Sequence, residues 1–189
     1  MQFITRAAQA QTIKADCVAV GVFDGGQLSA GAQQLDKASD GALRAAVRSG
    51  DMQGKAGSVL LLHAVPSVAA ARVLLVGLGK KGEFTAKAMQ DAVRAAVKGA
   101  GAGTKALALA CSDWQLKGTD AQLAAALVVS AAREAVFRTD ELKSKKDDAA
   151  NGVAKVILLT EGADAKTTKG VAYGSALASG MELAKRLGN

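Results

Sequence analysis

At 189 residues, 50% of them hydrophobic, the chain is long enough to bury one substantial core, and a second domain is not expected. Aromatics contribute only 3% and there is a single proline, so the core must be built from Val, Leu, Ile and Ala, a composition that favours helices packed closely on a sheet. No apolar run reaches the ~18 residues that span a bilayer, and Met1 to Ala10 lacks the basic start and apolar middle of a signal peptide, so a cytosolic protein is expected. Lys plus Arg total 24 against 17 for Asp plus Glu, and the net charge of +7 makes a polyanion partner conceivable. The basic residues are scattered, however, except where Lys143, Lys145 and Lys146 run into Asp147 and Asp148. The few rings are spread singly rather than interleaved for stacking bases, which leaves a solvated surface as the default.

In chain order, Phe3 to Arg6 and Cys17 to Phe23 read as strands that pair as neighbours, and DGGQLS after them carries the glycines of a turn. Ser39 or Asp40 is placed to cap a short helix with Leu43, Ala46 and Val47 on its inner face and Gly50 at its end. GSVLLLHAV and RVLLVGL follow as two strands around Pro66, and their unbroken apolarity predicts burial on both faces. From Thr85 to Gly99 a helix shows Met89, Val93, Ala96, Val97 and Ala100 on one side, with Lys87, Asp91, Arg94 and Lys98 as its solvent stripe. KALALAC is the next strand. Thr119 with Gln122 three positions on forms a capping box for a helix that is apolar nearly all round, and hence buried, between the sheet and another domain or subunit. Asp140 to Gly152 is a charged connector, AKVILLT a last buried strand, and Ala165 to Leu187 a closing helix whose Gly174 and Gly180 permit close backbone approach. The alternation predicts an α/β fold with three layers and a mixed sheet of five to seven strands, helices on both faces; with no helix between the first two strands, part of the sheet can be antiparallel.

Chemistry-bearing patterns are scarce. Gly77, Gly79 and Gly82 in RVLLVGLGKKGEFT spell the G-x-G-x-x-G of a dinucleotide fingerprint, but the helix begins near Thr85 and leaves Gly82 in the loop. The acid that should hold a ribose is also missing at its spacing, Asp113 lying too far along. The glycine stretches from Gly50 and from Gly99 fail the spacing of a phosphate loop and its Lys-Ser/Thr end. His63, the one histidine, reads as a packing or surface residue, and no G-x-S-x-G elbow exists to complete a hydrolytic triad. Cys17 and Cys111 suit reduced core thiols, and Asp16, Asp24 and Asp113 are single acids at turns rather than a metal cluster.

Four segments nevertheless carry a resemblance: SGDMQGKAGSVLLL from Ser49, RVLLVGLGKKGEFT from Arg72, FRTDELKSKKDD from Phe137 and GMELAKRLGN from Gly180. In this order they resemble the amino-terminal domain of the leucyl aminopeptidases, also called cytosol aminopeptidases, over nearly the whole chain. The third segment departs from the family pattern Y-x-F-D-x-x-K-S-K-K, with Phe137 and Thr139 standing for its two aromatics. The resemblance implies a macrodomain-like fold and, for the full-length protein, a cytoplasmic metal-dependent hydrolase. That enzyme removes amino-terminal residues, leucine among them, with two zinc or manganese ions activating a bridging water. In the family the metal ligands and the catalytic Lys and Arg belong to a carboxy-terminal domain, which would follow Asn189. Residues 1–189 are therefore expected to be a single non-catalytic domain, with no catalytic, cofactor-binding or metal-binding residue and no cofactor of its own. Its implied partners are its own catalytic domain and the other subunits of a hexamer of two trimers, whose assembly it helps. Some bacterial members also bind DNA. Two further readings follow: a DNA-binding module using the charge of +7, and a nucleotide pocket near Gly77 to Gly82.

Overall fold

Strands and helices follow one another along the chain because short, unbroken apolar runs rich in Val and Leu are separated by capped, helix-period segments. The computed structural model describes residues 1–111, 114, 116, 118–137 and 152–187. Its strands are β1 (Gln2–Ala7), β2 (Cys17–Phe23), β3 (Gln27–Leu28), β4 (Val59–His63), β5 (Arg72–Gly79), β6 (Ala106–Leu109) and β7 (Lys155–Thr160). Its helices are α1 (Ala30–Ala38), α2 (Ala42–Arg48), α3 (Ala86–Gly99), α4 (Ala121–Val136) and α5 (Ala165–Leu187). The strands form one mixed sheet in the order β1-β7-β6-β2-β5-β4, with the short β3 antiparallel beside the end of β2. Along this order the pairs from β1 to β5 are parallel, and β4 at the far edge runs against its neighbour β5.

Alternate residues of each central strand feed two cores. Cys17, Ala19, Leu74, Val76, Leu107 and Val156 face α3 and α4. Val18, Val20, Val73, Leu75, Ala108 and Ile157 face α1 and α2. This is the expected three-layer α/β arrangement, with its seven strands at the upper end of the expected range.

Several local expectations are corrected. β1 and β2 are not neighbours: β1 pairs with β7 at an edge, Gln2 opposite Lys155, and two strands separate it from β2. The connector between them returns to the starting end of the sheet without a helix, because Ala10 and Ile13 bury themselves in the core on the α1 face and fill space that a crossover helix would occupy. Asp16 then fixes the connector to β6, its carboxylate accepting the Lys105 and Ala106 N–H groups at 2.8 Å each. Parallel pairing therefore includes the first two strands, and the antiparallel part is β4 and β3. As an edge strand β4 is not buried on both faces, and Val59 is 40% exposed.

A helix where only a turn was read, α1, is capped by Ser29, whose hydroxyl accepts the Ala32 N–H at 3.4 Å. Neither Ser39 nor Asp40 caps α2. Its first turn follows Gly41, and Asp36 from α1 reaches over to accept the Arg44 N–H at 2.9 Å. α3 begins as expected after Thr85, whose hydroxyl accepts the Ala88 N–H at 3.2 Å. At α4 the cap is Asp120 rather than Thr119, its carboxylate accepting the Leu123 N–H at 2.8 Å. The apolar girth of α4 is covered within the domain, between α3 and α5 and over the sheet. The charged connector from Asp140 falls outside the described residues apart from Gly152 at its end.

Candidate functional site

In a parallel sheet the crevice for a ligand opens at the carboxyl ends of two neighbouring strands whose chains leave to opposite faces. β2 and β6 are such neighbours: β2 leads to α1 on one face and β6 to α4 on the other. A cavity of about 650 Å³ lies beyond β6 and β7, with Met89, Trp114, Val128 and Leu158 among its apolar walls. A second cavity of about 380 Å³, walled by Ala7 to Ala10 and the start of α1, shares Leu159, Thr160 and Glu161 with it.

The rim of the larger cavity is acidic. The amino ends of α4 and α5 both open on it, and their N–H groups would favour an anion. Each is already served by its own carboxylate. Asp120 holds the Leu123 N–H, while Asp164 accepts the Lys166 N–H at 2.9 Å and the Thr167 hydroxyl proton. The Thr167 bond is the leading cause that holds the Asp164 carboxyl below the usual range. Glu161 adds a third carboxylate, and among the described residues no Lys, Arg or His lines either cavity. Such a mouth repels phosphate, and neither cavity touches residues 77–82, so the geometry does not favour the nucleotide reading placed there.

The glycine string serves packing instead. A Cβ at Gly77 would lie 1.9 Å from the Lys55 carbonyl oxygen, because the segment before β4 presses against β5 at this point. Backbone bonds close the contact: Gly77 N–H to Ser58 O at 2.8 Å, Gly57 N–H to Gly77 O at 3.0 Å, and Gly79 N–H to Gly54 O at 2.9 Å. Two of the resemblance segments, from Ser49 and from Arg72, are thereby one structural unit. Gly82 lies in a single 3-10 turn with no atom within 4 Å of an added Cβ, so it does not provide the helix–strand contact of a dinucleotide fingerprint.

The other singled-out residues are dispersed. His63 is exposed at the end of β4, and Asp24 accepts the Gly25 N–H at 3.1 Å. Two N–H donors hold Asp16 below the usual carboxylate range. Cys17 and Cys111 are buried thiols not joined in a disulfide, and burial pushes the Cys17 thiol up to about 11. Asp113 and the lysines from Lys143 to Lys146 lie outside the described residues. Among the described residues no three His, Cys, Asp or Glu side chains group as a metal site would require. One expectation was too simple, since Arg94 is not merely a solvent residue. It bonds Glu134 of α4 at 2.7 Å and Asp91 at 2.6 Å, while Arg133 of α4 bonds Glu182 of α5 at 2.7 Å. These pairs lace α3, α4 and α5 together.

The strand order, the three layers and the cavities at the carboxyl ends define a macrodomain-like α/β domain. The macro domain of ganglioside induced differentiation associated protein 2 matches it with a TM-score of 0.64, covering 89% of this chain and 81% of that one; at 8% identity the fold alone is shared. The chain belongs to the cytosol aminopeptidase family, whose amino-terminal-domain model matches residues 19–146. A probable cytosol aminopeptidase of Ralstonia nicotianae is 42% identical over 207 residues, covering all of this chain and 40% of that protein. Two solved structures are similar over most of the chain. The bottromycin maturation enzyme BotP in complex with Mn has a TM-score of 0.66 at 28% identity, over 93% of this chain and 32% of its own. A mutant of tomato leucine aminopeptidase has a TM-score of 0.76 at 20% identity, over 95% and 36%. The chain thus spans about 40% of the length of the curated relatives it matches. Among the described residues no helix is long and apolar enough to cross a membrane.

Proposed function

We propose that this domain is the non-catalytic amino-terminal part of a cytosolic, metal-dependent leucyl aminopeptidase, and that it supports assembly of a hexamer. The observation that carries the reading is the pairing of two extents. The whole chain aligns with a probable cytosol aminopeptidase, yet it accounts for only 40% of that relative and matches the model of an amino-terminal domain. Hydrolysis of the amino-terminal peptide bond belongs to the remainder.

The metal ions belong there too. Two zinc or manganese ions would supply a water activated by paired positive charge, and the described residues do not fit such a centre, since they offer no converging set of three ligands. No step of the reaction is placed on residues of this domain. What it offers a larger assembly is a rigid body, with three helices on one face cross-linked by Arg94–Glu134 and Arg133–Glu182.

The test is direct. Purified residues 1–189, assayed on a leucine anilide with added manganese or zinc, should show no turnover above buffer. Hydrolysis that co-purifies with the pure fragment and is lost to a chelator would overturn the proposal.

A further inference from the structure

The larger cavity beyond β6 and β7 has no part in assembly or hydrolysis as proposed. At about 650 Å³ it falls within the roughly 300–1,000 Å³ of small-molecule sites, and its inner walls and its mouth differ in kind. The inner walls are apolar: Met89 of α3, Val128 of α4 and Leu158 of β7 are each 2% exposed or less. The mouth carries the carboxylates of Asp120, Glu161 and Asp164. The amino ends of α4 and α5 bring about half a positive charge each, so against three carboxylates the mouth stays negative by about two charges. Asp120 and Asp164 spend part of their accepting capacity on their own helices. The Glu161 side chain has no hydrogen-bond or ion-pair partner among the described residues. A small molecule that suits both regions joins an apolar group to a cation.

A third group narrows the choice. Trp114 lines the same cavity at 2% exposure, and its indole N–H has no acceptor among the described residues. Buried donors are ordinarily bonded, and an unpaired one is costly. The Nε1 lies over Gly21 of β2, where an added Cβ would stand 2.7 Å from it. Pairing of β6 with β2 ends at Leu109 opposite Ala19, so the unpaired donor sits just past that end, in the crevice between strands whose chains leave to opposite faces. A ligand there is best served by an oxygen acceptor as well as an amine.

We propose that this cavity binds a small apolar primary amine that also carries a carbonyl oxygen, its ammonium held by Glu161 with Asp120 and Asp164, its apolar part between Met89, Val128 and Leu158, and its oxygen accepting the Trp114 indole proton. The class of ligand follows from the cavity. That its source is free leucine or the amino terminus of a leucyl peptide, which share this chemistry, rests on the reading given under Proposed function. The domain then senses what the enzyme consumes or releases, at a site that performs no hydrolysis.

Trp114 is the one tryptophan of the chain, so its fluorescence reports this wall without a label. Titrated into the 189-residue chain, leucinamide and leucyl-leucinamide should each give a saturable change, matched by calorimetry, with a Kd below about 10 mM. Alaninamide, shorter by three carbons, should bind about tenfold or more weakly. The same loss is expected for 4-methylpentanamide, which keeps the apolar chain and the amide oxygen but has no amine. Glu161→Gln should weaken leucinamide by roughly two- to fivefold and leave Tm unchanged, because its side chain bonds nothing in the domain. Leucine against leucinamide separates the sources: tighter binding of the amide indicates a peptide amino terminus, and equal or tighter binding of leucine indicates the free amino acid. No saturation by about 10 mM in either measurement would overturn the site and leave the aminopeptidase reading standing. Equal affinity for 4-methylpentanamide, or undiminished affinity in Glu161→Gln, would overturn recognition of the amine. Hydrolysis of leucyl-leucinamide during the titration would overturn the reading under Proposed function instead.

Discussion

One helix offers a reversal of sign for a single kind of substitution. A Cβ at Gly170 would stand 2.1 Å from the Gln122 carbonyl oxygen and 2.8 Å from the Ala125 Cβ, both on α4. Ordinary Cβ contacts begin above 3 Å, so Gly170→Ala must move two packed helices apart by about 1 Å. Overpacking of that kind costs about 1–3 kcal/mol, while the helix gains about 0.5–1 kcal/mol from replacing glycine. The net expectation is a loss of about 1–2 kcal/mol, which in a domain of this size lowers Tm by about 2–8 °C. At Gly180 the same change meets nothing within 4 Å, and only the gain remains. Gly180→Ala in the 189-residue chain should raise Tm by about 1–4 °C. Thermal and urea unfolding followed by far-ultraviolet circular dichroism measure both. If Gly170→Ala is as stable as Gly180→Ala, the close packing of α5 on α4 is not what holds that helix, and the reasoning fails.

Asp16→Asn should cost about 1 kcal/mol at pH 7, because a charged acceptor of two N–H bonds becomes a neutral one. Since folding lowers the pKa of Asp16, its contribution is complete above the unfolded value near ~3.9 and disappears as pH falls through the folded value. Denaturation curves of the two proteins should therefore converge at acid pH, and a constant gap down to pH ~2 would count against the assignment. Arg133→Ala and Glu182→Ala, combined in a double-mutant cycle, should show a coupling of about 1 kcal/mol, as befits a partly buried bidentate pair; additivity would mean the pair contributes nothing. Cys17 should resist a disulfide reagent at pH 8 in the native domain, with its thiol raised to about 11 by burial, and react on unfolding in urea. Rapid native labelling at Cys17 would show the sheet opening far more readily than its burial implies.

Much of the fold was legible because its strongest elements carry unambiguous periods. The Thr85 cap and the apolar stripe of α3 mark that helix to within a residue, and β2, β5 and β7 stand out as unbroken apolar runs. α1 was missed because AGAQQLDKA offers only Ala32 and Leu35 as buried apolar anchors, and the Ser29 cap was absorbed into the preceding glycine turn. The partner of β1 could not be read at all. Strand order depends on which edge is free when the sheet closes, and nothing local to Gln2–Ala7 records that this edge is β7. The cavities were equally hidden, because their walls come from strand ends and helix starts far apart in the chain, around residues 111–128 and 158–167. The glycine string was legible only as a pattern. Its purpose depends on Lys55 and Ser58, which the spacing of Gly77 and Gly79 does not reveal.

The pairing of β1 with β7 gives synthesis of this domain a built-in delay. Among the described strands β1 leaves the ribosome before the others, and its sheet neighbour β7 follows about 150 residues later, after the rest of the described sheet has been made. At 5–20 residues per second the wait is roughly 8–30 s, long compared with the microseconds to milliseconds in which local helices and hairpins form. Until β7 arrives, β6 also has an open edge. The nascent chain therefore carries β1 unpaired until β7 is made, and β6 with one edge open from Leu109 until Lys155 emerges, and this is the interval in which a chaperone would matter and in which slow translation would promote aggregation rather than folding.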